Sequence, residues 1–186
     1  MRVGIFVDAE NVKYNSEHRI RFDILREFAG RGGNEVIISN MYMAVDESRA
    51  VIDKANYKSV MSYHDLLRDQ GWTIKNKKVK WYSRGENNLY SKANSDIEIV
   101  VDAMNSCKNL DKIILVTGDG DFVYLINYLQ SIGKIVEVIG FKNVSSEIRR
   151  ESNLFISGFL IPNIFRDYGE NSKKYGVCMM WNPENK

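Results

Sequence analysis

Short apolar segments rich in β-branched residues alternate with amphipathic helical segments along most of this chain. The segments predicted to be strands are residues 3–8, 35–44, 73–82 (with a break near Asn76), 112–116 and 135–139. The segments predicted to be helices are residues 19–29, 48–69, 96–106 and 122–132, followed by a short helix that begins at Ser145. Alternation of this kind predicts an α/β fold with a mainly parallel central sheet that helices cover on both faces.

Length and composition limit the chain to one well-buried core, because it has 186 residues, of which 44% are hydrophobic and 27% charged. The net charge of +2 permits a polyanionic partner without arguing for one. No stretch is long and apolar enough to span a bilayer, and no basic-then-apolar leader opens the chain. We therefore expect a cytoplasmic protein with no membrane partner, and reduced, structural thiols at Cys107 and Cys178.

Residues 113–122 (IILVTGDGDF) combine a buried-strand pattern with a turn that holds two acids, Asp119 and Asp121. The turn is predicted to lie at the carboxyl end of its strand, which is the edge where ligands bind in open α/β sheets. Two carboxylates held there would repel each other unless a cation or a proton lay between them. This turn therefore predicts a metal site.

Two further acids are expected at the same edge. Asp8 ends the first predicted strand, and Asp96 begins a predicted helix, where a carboxylate is favoured by the helix dipole. If the strands that carry Asp8 and Asp119 are neighbours, acids from three segments converge into an oxygen-ligand cage. Mg²⁺ and Mn²⁺ are bound by such cages, which carry out phosphoryl chemistry.

Each acid also has a purely structural interpretation. Asp8 alone could be a turn residue, Asp96 a helix cap, and Asp121 the cap of a helix that begins at Phe122. Asp102 falls on roughly the opposite side of its helix from Asp96, so we assign it a structural role.

Four ordered sequence blocks resemble one protein family. Residues 6–11 (FVDAEN) resemble the hydrophobic-Asp-x-x-Asn opening of the NYN domains, the PIN-like nuclease group that includes the LabA-type proteins. Residues 92–103 (KANSDIEIVVDA) resemble the family's Lys…Asp…Asp-Ala helix, and residues 116–125 (VTGDGDFVYL) resemble its Ser/Thr-Gly-Asp-x-Asp-Phe turn. Residues 133–140 and 145–155 resemble its last strand and the segment that follows it.

The resemblance extends from Val3 to about Leu160 and implies a Rossmann-like, PIN-type three-layer sandwich. We therefore expect an NYN/PIN-like domain over residues 1–160. Residues 161–186 are expected to form a C-terminal tail that is docked or partly disordered.

The resemblance also implies a site for Mg²⁺ or Mn²⁺ and RNA, expected to be single-stranded, as the partner. It assigns metal-binding and catalytic roles to four acids: Asp8, Asp96, Asp119 and Asp121. We favour Asp8 and Asp119 as direct ligands. Four further residues are expected to bind substrate: Asn11, Thr117, Lys92 and Arg149. Lys92 departs from the family pattern, because it lies one position further from Asp96 than the usual lysine.

These observations favour a ribonuclease that hydrolyses RNA phosphodiesters through metal-activated water. The main alternative is a non-catalytic RNA-binding or regulatory NYN module, with a homodimer as one form of it. A phosphatase-like hydrolase of the haloacid dehalogenase type is less favoured, because Glu10 stands where that class has a second Asp after Asp8. A toprim-type domain is disfavoured because it has Glu at the end of the first strand.

Basic and aromatic residues are interleaved in the middle of the chain. The set consists of Lys54, Tyr57, Lys58, Tyr63, Arg68, Trp72, Lys75, Lys77, Lys78, Lys80, Trp81, Tyr82 and Arg84. Such a set could bind phosphates and stack bases. We favour the other interpretation, a solvated helix and an edge strand whose lysines discourage pairing with another edge.

Overall fold

Six parallel strands form the central sheet of the computed structural model, which describes residues 1–16, 19–83 and 89–165. The strands of this sheet are β1 (Arg2–Asp8), β2 (Glu35–Val45), β3 (Thr73–Lys78), β6 (Lys112–Val116), β7 (Ile135–Gly140) and β8 (Leu154–Ser157). Their spatial order is β3-β2-β1-β6-β7-β8. The two remaining strands, β4 (Lys80–Ser83) and β5 (Leu89–Lys92), form a separate antiparallel hairpin.

Helices cover both faces of the sheet. They are α1 (Ala9–Asn15), α2 (Phe22–Ala29), α3 (Arg49–Ile52), α4 (Lys54–Asp69), α5 (Asp96–Ser106), α6 (Val123–Ser131) and α7 (Ser146–Glu151). One buried cluster joins alternate residues of β1, such as Ile5, to Leu25 of α2 and Leu67 of α4. A second cluster joins Phe6 of β1 to α5 and α6, for example through Ile126. The predicted α/β fold, with a parallel sheet between two helical layers, is confirmed.

The middle of the chain departs from the predicted strand over residues 73–82. β3 follows β2 as far as the pair Val45 and Lys78, and the chain then breaks at Val79 rather than near Asn76. The Val79 N–H donates to the Val45 carbonyl at 3.0 Å. Beyond this point β4 pairs with β5 instead of continuing the sheet, and the hairpin leads directly toward α5.

The helix predicted over residues 48–69 is in fact two helices. The break falls at Asp53, whose side chain accepts a hydrogen bond from the Asn56 N–H at 3.1 Å and so caps α4. The helix predicted to begin at residue 19 starts instead at Phe22. Neither α1 nor β8 was anticipated, because they are only seven and four residues long, too short for a regular pattern to show.

The chain remains packed on the domain beyond Leu160. Ile161 and Ile164 belong to the same buried cluster as β1 and α2. The Phe165 ring lies 5.8 Å from Phe159 and 6.4 Å from Phe141, measured between ring centroids. The first five residues of the predicted tail are therefore docked, whereas residues 166–186 lie outside the described residues.

Candidate metal centre

Two central strands deliver the first acids to one edge of the sheet. β1 and β6 are hydrogen-bonded neighbours, with Val7 opposite Val116, so the residues that follow them emerge side by side. Asp8 ends β1 and Thr117 follows β6, and the Thr117 hydroxyl lies 3.5 Å from Asp8 Oδ2. The expected convergence of Asp8 with the turn after β6 thus follows directly from the sheet order.

Hydrogen bonds hold the turn after β6 from several sides. The Gly118 N–H donates to Asn11 Oδ1 at 2.9 Å, and the Asp119 N–H donates to Thr117 Oγ1 at 3.2 Å. The Gly118 carbonyl accepts from the Ser145 N–H at 2.9 Å. Asn11 and Thr117, predicted to bind substrate, therefore position the backbone that presents Asp119.

The two glycines of this turn are closely packed. A Cβ atom on Gly118 would lie 3.2 Å from Val144, and one on Gly120 would lie 2.9 Å from Ser145 Oγ. The loop before α7 therefore packs directly onto the turn. A larger residue at either position would need Val144 or Ser145 to shift.

Three carboxylates meet beyond this turn. Asp96, at the start of α5, and Asp119 and Asp121 each offer an oxygen, and these oxygens all lie within 4.8 Å of one another. Oxygens that bind one hard cation at about 2.0–2.6 Å lie at most roughly 4–5 Å apart. The spacing and the all-oxygen donor set therefore fit a divalent cation such as Mg²⁺ or Mn²⁺.

The pKa values of the clustered acids also favour a bound cation. Burial raises the pKa of Asp8 to about 6, the charges of Asp96 and Asp119 act in the same direction, and the hydrogen bond from the Asn11 N–H opposes them. Burial also raises the pKa of Asp96, reinforced by the charges of Asp119 and Asp121. The cluster concentrates negative charge, and a bound cation would relieve that repulsion.

Asp8 lies beside the group of three rather than within it. Its Oδ1 accepts the Asn11 N–H at 3.1 Å, which makes Asp8 the N-cap of α1. Asp8, Asp96 and Asp119 nevertheless line one pocket of about 580 Å³. The metal-binding roles assigned to these acids and to Asp121 remain predictions.

Asp119, not Asp121, caps the turn at the start of α6. Asp119 Oδ1 accepts the Asp121 N–H at 3.0 Å, and Asp121 itself lies in a single 3-10 turn over residues 120–122. The alternative role of Asp121 as a simple helix cap is therefore not observed.

Asp102 has the structural role expected of it, because it accepts a hydrogen bond from the Tyr42 hydroxyl at 2.7 Å and lies 3.4 Å from Lys75 Nζ.

Sequence reasoning missed two charged residues of the pocket, Glu10 and Lys13, which line it together with Asn11. All three lie on α1, which was not predicted. A signal was present, because Asp8 followed by an acid in the first turn is a typical helix start.

The other two residues predicted to bind substrate, Arg149 and Lys92, lie outside the turn that follows β6. The Arg149 guanidinium lies over the Phe155 ring, 4.7 Å from its centroid, on the segment after β7. Lys92 is the last residue of β5, and its side chain lies outside what the structure describes.

The basic and aromatic set in the middle of the chain divides into several groups. Lys75, Lys77 and Lys78 form ion pairs with Asp102, Glu98 and Glu47, respectively. Trp72 is buried in the core, whereas Tyr57 and Trp81 line the pocket. Arg84 lies outside the described residues. The lysines of β3 thus belong to an ion-paired sheet edge, as the favoured interpretation holds.

Comparisons with known proteins agree with this geometry. The chain is 28% identical over 163 residues to the low amplitude and bright protein LabA of Synechococcus elongatus, covering 83% of this chain and 82% of that protein. A crystal structure of a protein of unknown function from Vibrio parahaemolyticus has the same fold, with a TM-score of 0.68 and 23% identity over 88% of this chain and 94% of that one. Within the described residues, no helix is long and apolar enough to cross a membrane. The model of the NYN domain family matches residues 2–162, and the chain therefore belongs to the NYN domain family.

Proposed function

We propose that this protein is a ribonuclease that depends on Mg²⁺ or Mn²⁺ and hydrolyses RNA phosphodiester bonds in the pocket at the carboxyl edge of the sheet. The observation that carries this proposal is the meeting of Asp96, Asp119 and Asp121, whose carboxylate oxygens lie within 4.8 Å of one another. The NYN domain has a nuclease-type fold, and the acid cluster is compatible with metal binding.

The four acids have different roles in the proposed site. Asp96, Asp119 and Asp121 would hold the cation, and Asp8 completes the site as a fourth oxygen ligand or as an acceptor of a proton from water. A divalent cation held there would lower the pKa of water and neutralise charge on the phosphate. Without a cation, burial and the charges of Asp96 and Asp119 raise the pKa of Asp8 to about 6, and a bound cation would lower this pKa.

Neighbouring residues position the acids and the substrate. Asn11 and Thr117 fix the turn that carries Asp119 through hydrogen bonds of 2.9 and 3.2 Å. Lys13 lines the pocket and supplies a cation toward an incoming phosphate. Its ion pair with Glu10 is long, at 4.0 Å, and its side chain is mostly exposed, so it can turn toward a ligand.

The proposal is tested by replacing Asp119 with Asn and measuring cleavage of a labelled single-stranded RNA with Mn²⁺ or Mg²⁺. We expect the rate to fall by about 100-fold or more, the scale on which loss of one charge-stabilising group acts. Asp69→Asn is the matched control, because it makes the same change at an exposed residue near the end of α4.

Three results would contradict the proposal. Unchanged cleavage by the Asp119→Asn variant would remove the acid cluster from the reaction. RNA binding by the unaltered protein without any cleavage would identify a non-catalytic binding module. Release of phosphate from a small phosphomonoester, with RNA left intact, would identify a phosphatase-like hydrolase.

A further inference from the structure

Three aromatic side chains that line the pocket lie outside the hydrophobic core. Tyr14 of α1, Tyr57 of α4 and Trp81 of β4 all line the pocket that contains Asp8, Asp96 and Asp119. Tyr14 is 77% exposed and Trp81 49% exposed, whereas Trp72 is only 3% exposed. Aromatic rings left in water around a polar cleft are suited to stacking on a ligand.

Hydrogen bonds hold the Trp81 ring in place at its edge. Its indole N–H donates to Asp46 Oδ1 at 3.3 Å, and the same oxygen accepts from the N–H and hydroxyl of Ser48 at 3.1 and 2.6 Å. The bond from the Val79 N–H to the Val45 carbonyl fixes the start of β4 to the end of β2. The ring is thus anchored by its polar atom while about half of its surface stays exposed, which lowers the entropic cost of stacking a ligand on it.

Part of the positive charge near this wall is already paired. Lys75, Lys77 and Lys78 of β3 each form an ion pair with a carboxylate. The acids of the pocket repel phosphates until a cation binds. Contacts with the bases would therefore add to the attraction that Lys13 supplies toward a phosphate.

We infer that Trp81, with Tyr57 and Tyr14, forms a subsite that stacks unpaired nucleobases beside the acid cluster, and this inference rests on the proposed function. A base in a duplex has both faces covered by its neighbours, so only an unpaired base can present a face to these rings. The aromatic wall therefore selects single-stranded RNA and does so without reading its sequence.

The test separates base contacts from backbone contacts. Binding to the full-length Asp119→Asn chain with Mn²⁺ is measured by fluorescence anisotropy for a labelled RNA hexamer and for a hexamer of equal charge that lacks all its bases. The ratio of the two affinities reports the bases alone. Trp81→Ala should reduce this ratio by about 5- to 100-fold, the range of one base–aromatic stack, and leave the affinity for the abasic hexamer unchanged.

Two further variants make the result specific. Trp81→Phe keeps a ring and should restore most of the ratio, whereas Tyr128→Ala removes an exposed aromatic ring of α6 that does not line the pocket and should change nothing. An unaltered ratio in Trp81→Ala would overturn the inference, and so would equal weakening of both ligands. Cleavage by the unaltered protein is measured in parallel. If the protein cleaves RNA in an Asp119-dependent way but Trp81→Ala leaves the affinity ratio unaltered, the stacking subsite is refuted and the ribonuclease proposal stands. If Trp81→Ala reduces the affinity ratio but the unaltered protein does not cleave RNA, the ribonuclease proposal is refuted and the subsite stands.

Discussion

Asp8 shows how one residue can serve both a local structure and a site. Its carboxylate caps α1 by accepting the Asn11 N–H at 3.1 Å, which stabilises the helix. The same carboxylate is largely buried beside Asp96 and Asp119, and burial and these charges raise its pKa to about 6. The charged form of Asp8 therefore destabilises the native state at neutral pH when no cation is bound.

Replacing Asp8 with Asn should stabilise the metal-free protein. Asn caps a helix as well as Asp does, so the hydrogen bond to α1 is kept while the buried charge is removed. The pKa of Asp8 is about 6 in the folded state against an ordinary value of 3.8, so the native carboxyl binds the proton more tightly. The destabilisation by Asp8 is complete above about pH 6 and disappears below about pH 4.

We expect Asp8→Asn to add about 1–3 kcal/mol to the free energy of unfolding at pH 8. Urea unfolding in EDTA at pH 8 and at pH 4 measures this gain, which should shrink toward zero at the lower pH. A gain of equal size at both values, or a loss at pH 8, would show that the charge of Asp8 is not what limits stability.

At the scale of elements, one buried ion cluster joins three parts of the fold. Glu137 of β7 is 4% exposed, and its two oxygens lie 2.6 Å from Lys112 Nζ of β6 and 2.6 Å from Arg31 Nη2, which follows α2. The side chain of Lys112 is also buried. Because Lys112 begins its strand, the cluster lies at the opposite end of β6 from the acid site and ties the sheet to the helical layer.

Replacing Glu137 with Leu should cost about 3–5 kcal/mol, because the Lys112 ammonium is then left buried without a partner. The double replacement Lys112→Met with Glu137→Leu should recover most of this loss, since it removes the two most buried charges and leaves Arg31 with its hydrogen bond to the Phe28 carbonyl at 3.2 Å. Urea unfolding measures both effects, and Glu35→Leu, at an exposed site on β2, is the control. If the double variant were no more stable than the single one, the unpaired lysine would not be the cause.

The elements also show where reading from sequence succeeds. The continuous apolar run of β6 and the helical pattern of α5 were predicted correctly because their burial follows from the pattern of their own residues. Val79 was missed because charged and apolar residues alternate on both sides of it without a turn residue. The break there coincides with the end of the partner strand β2 at Val45, which is distant in sequence.

At the scale of the whole molecule, the end of the described chain closes one side of the core. Ile161 and Ile164 are 2% and 1% exposed, and the Ile164 carbonyl accepts the Arg21 N–H at 2.7 Å. Phe165 forms an antiparallel bridge with Ile20. The docked residues thus pair with Ile20 and Arg21, directly before α2.

A chain that ends at Phe165 should therefore be more stable than one that ends at Leu160. The shorter chain loses two fully buried isoleucines, each worth about 2–5 kcal/mol on the scale of large-to-small core substitutions. The midpoint of urea unfolding measures the difference between the two chains. Equal midpoints would show that the stable domain ends at residue 160, where the sequence predicts its boundary.

The sequence by itself determined the type of most elements, the parallel sheet, the edge at which the acids gather and membership of the NYN family. These properties can be predicted from sequence because periodicity and motif spacing are set by residues that are close together in the chain. Only the tertiary structure decided that Asp96, Asp119 and Asp121 form the tight group with Asp8 beside it, that the lysines of β3 are paired, and that Trp81 lines the same pocket as Asp8. Such distances join residues far apart in the chain, and they are set by how the elements pack against one another.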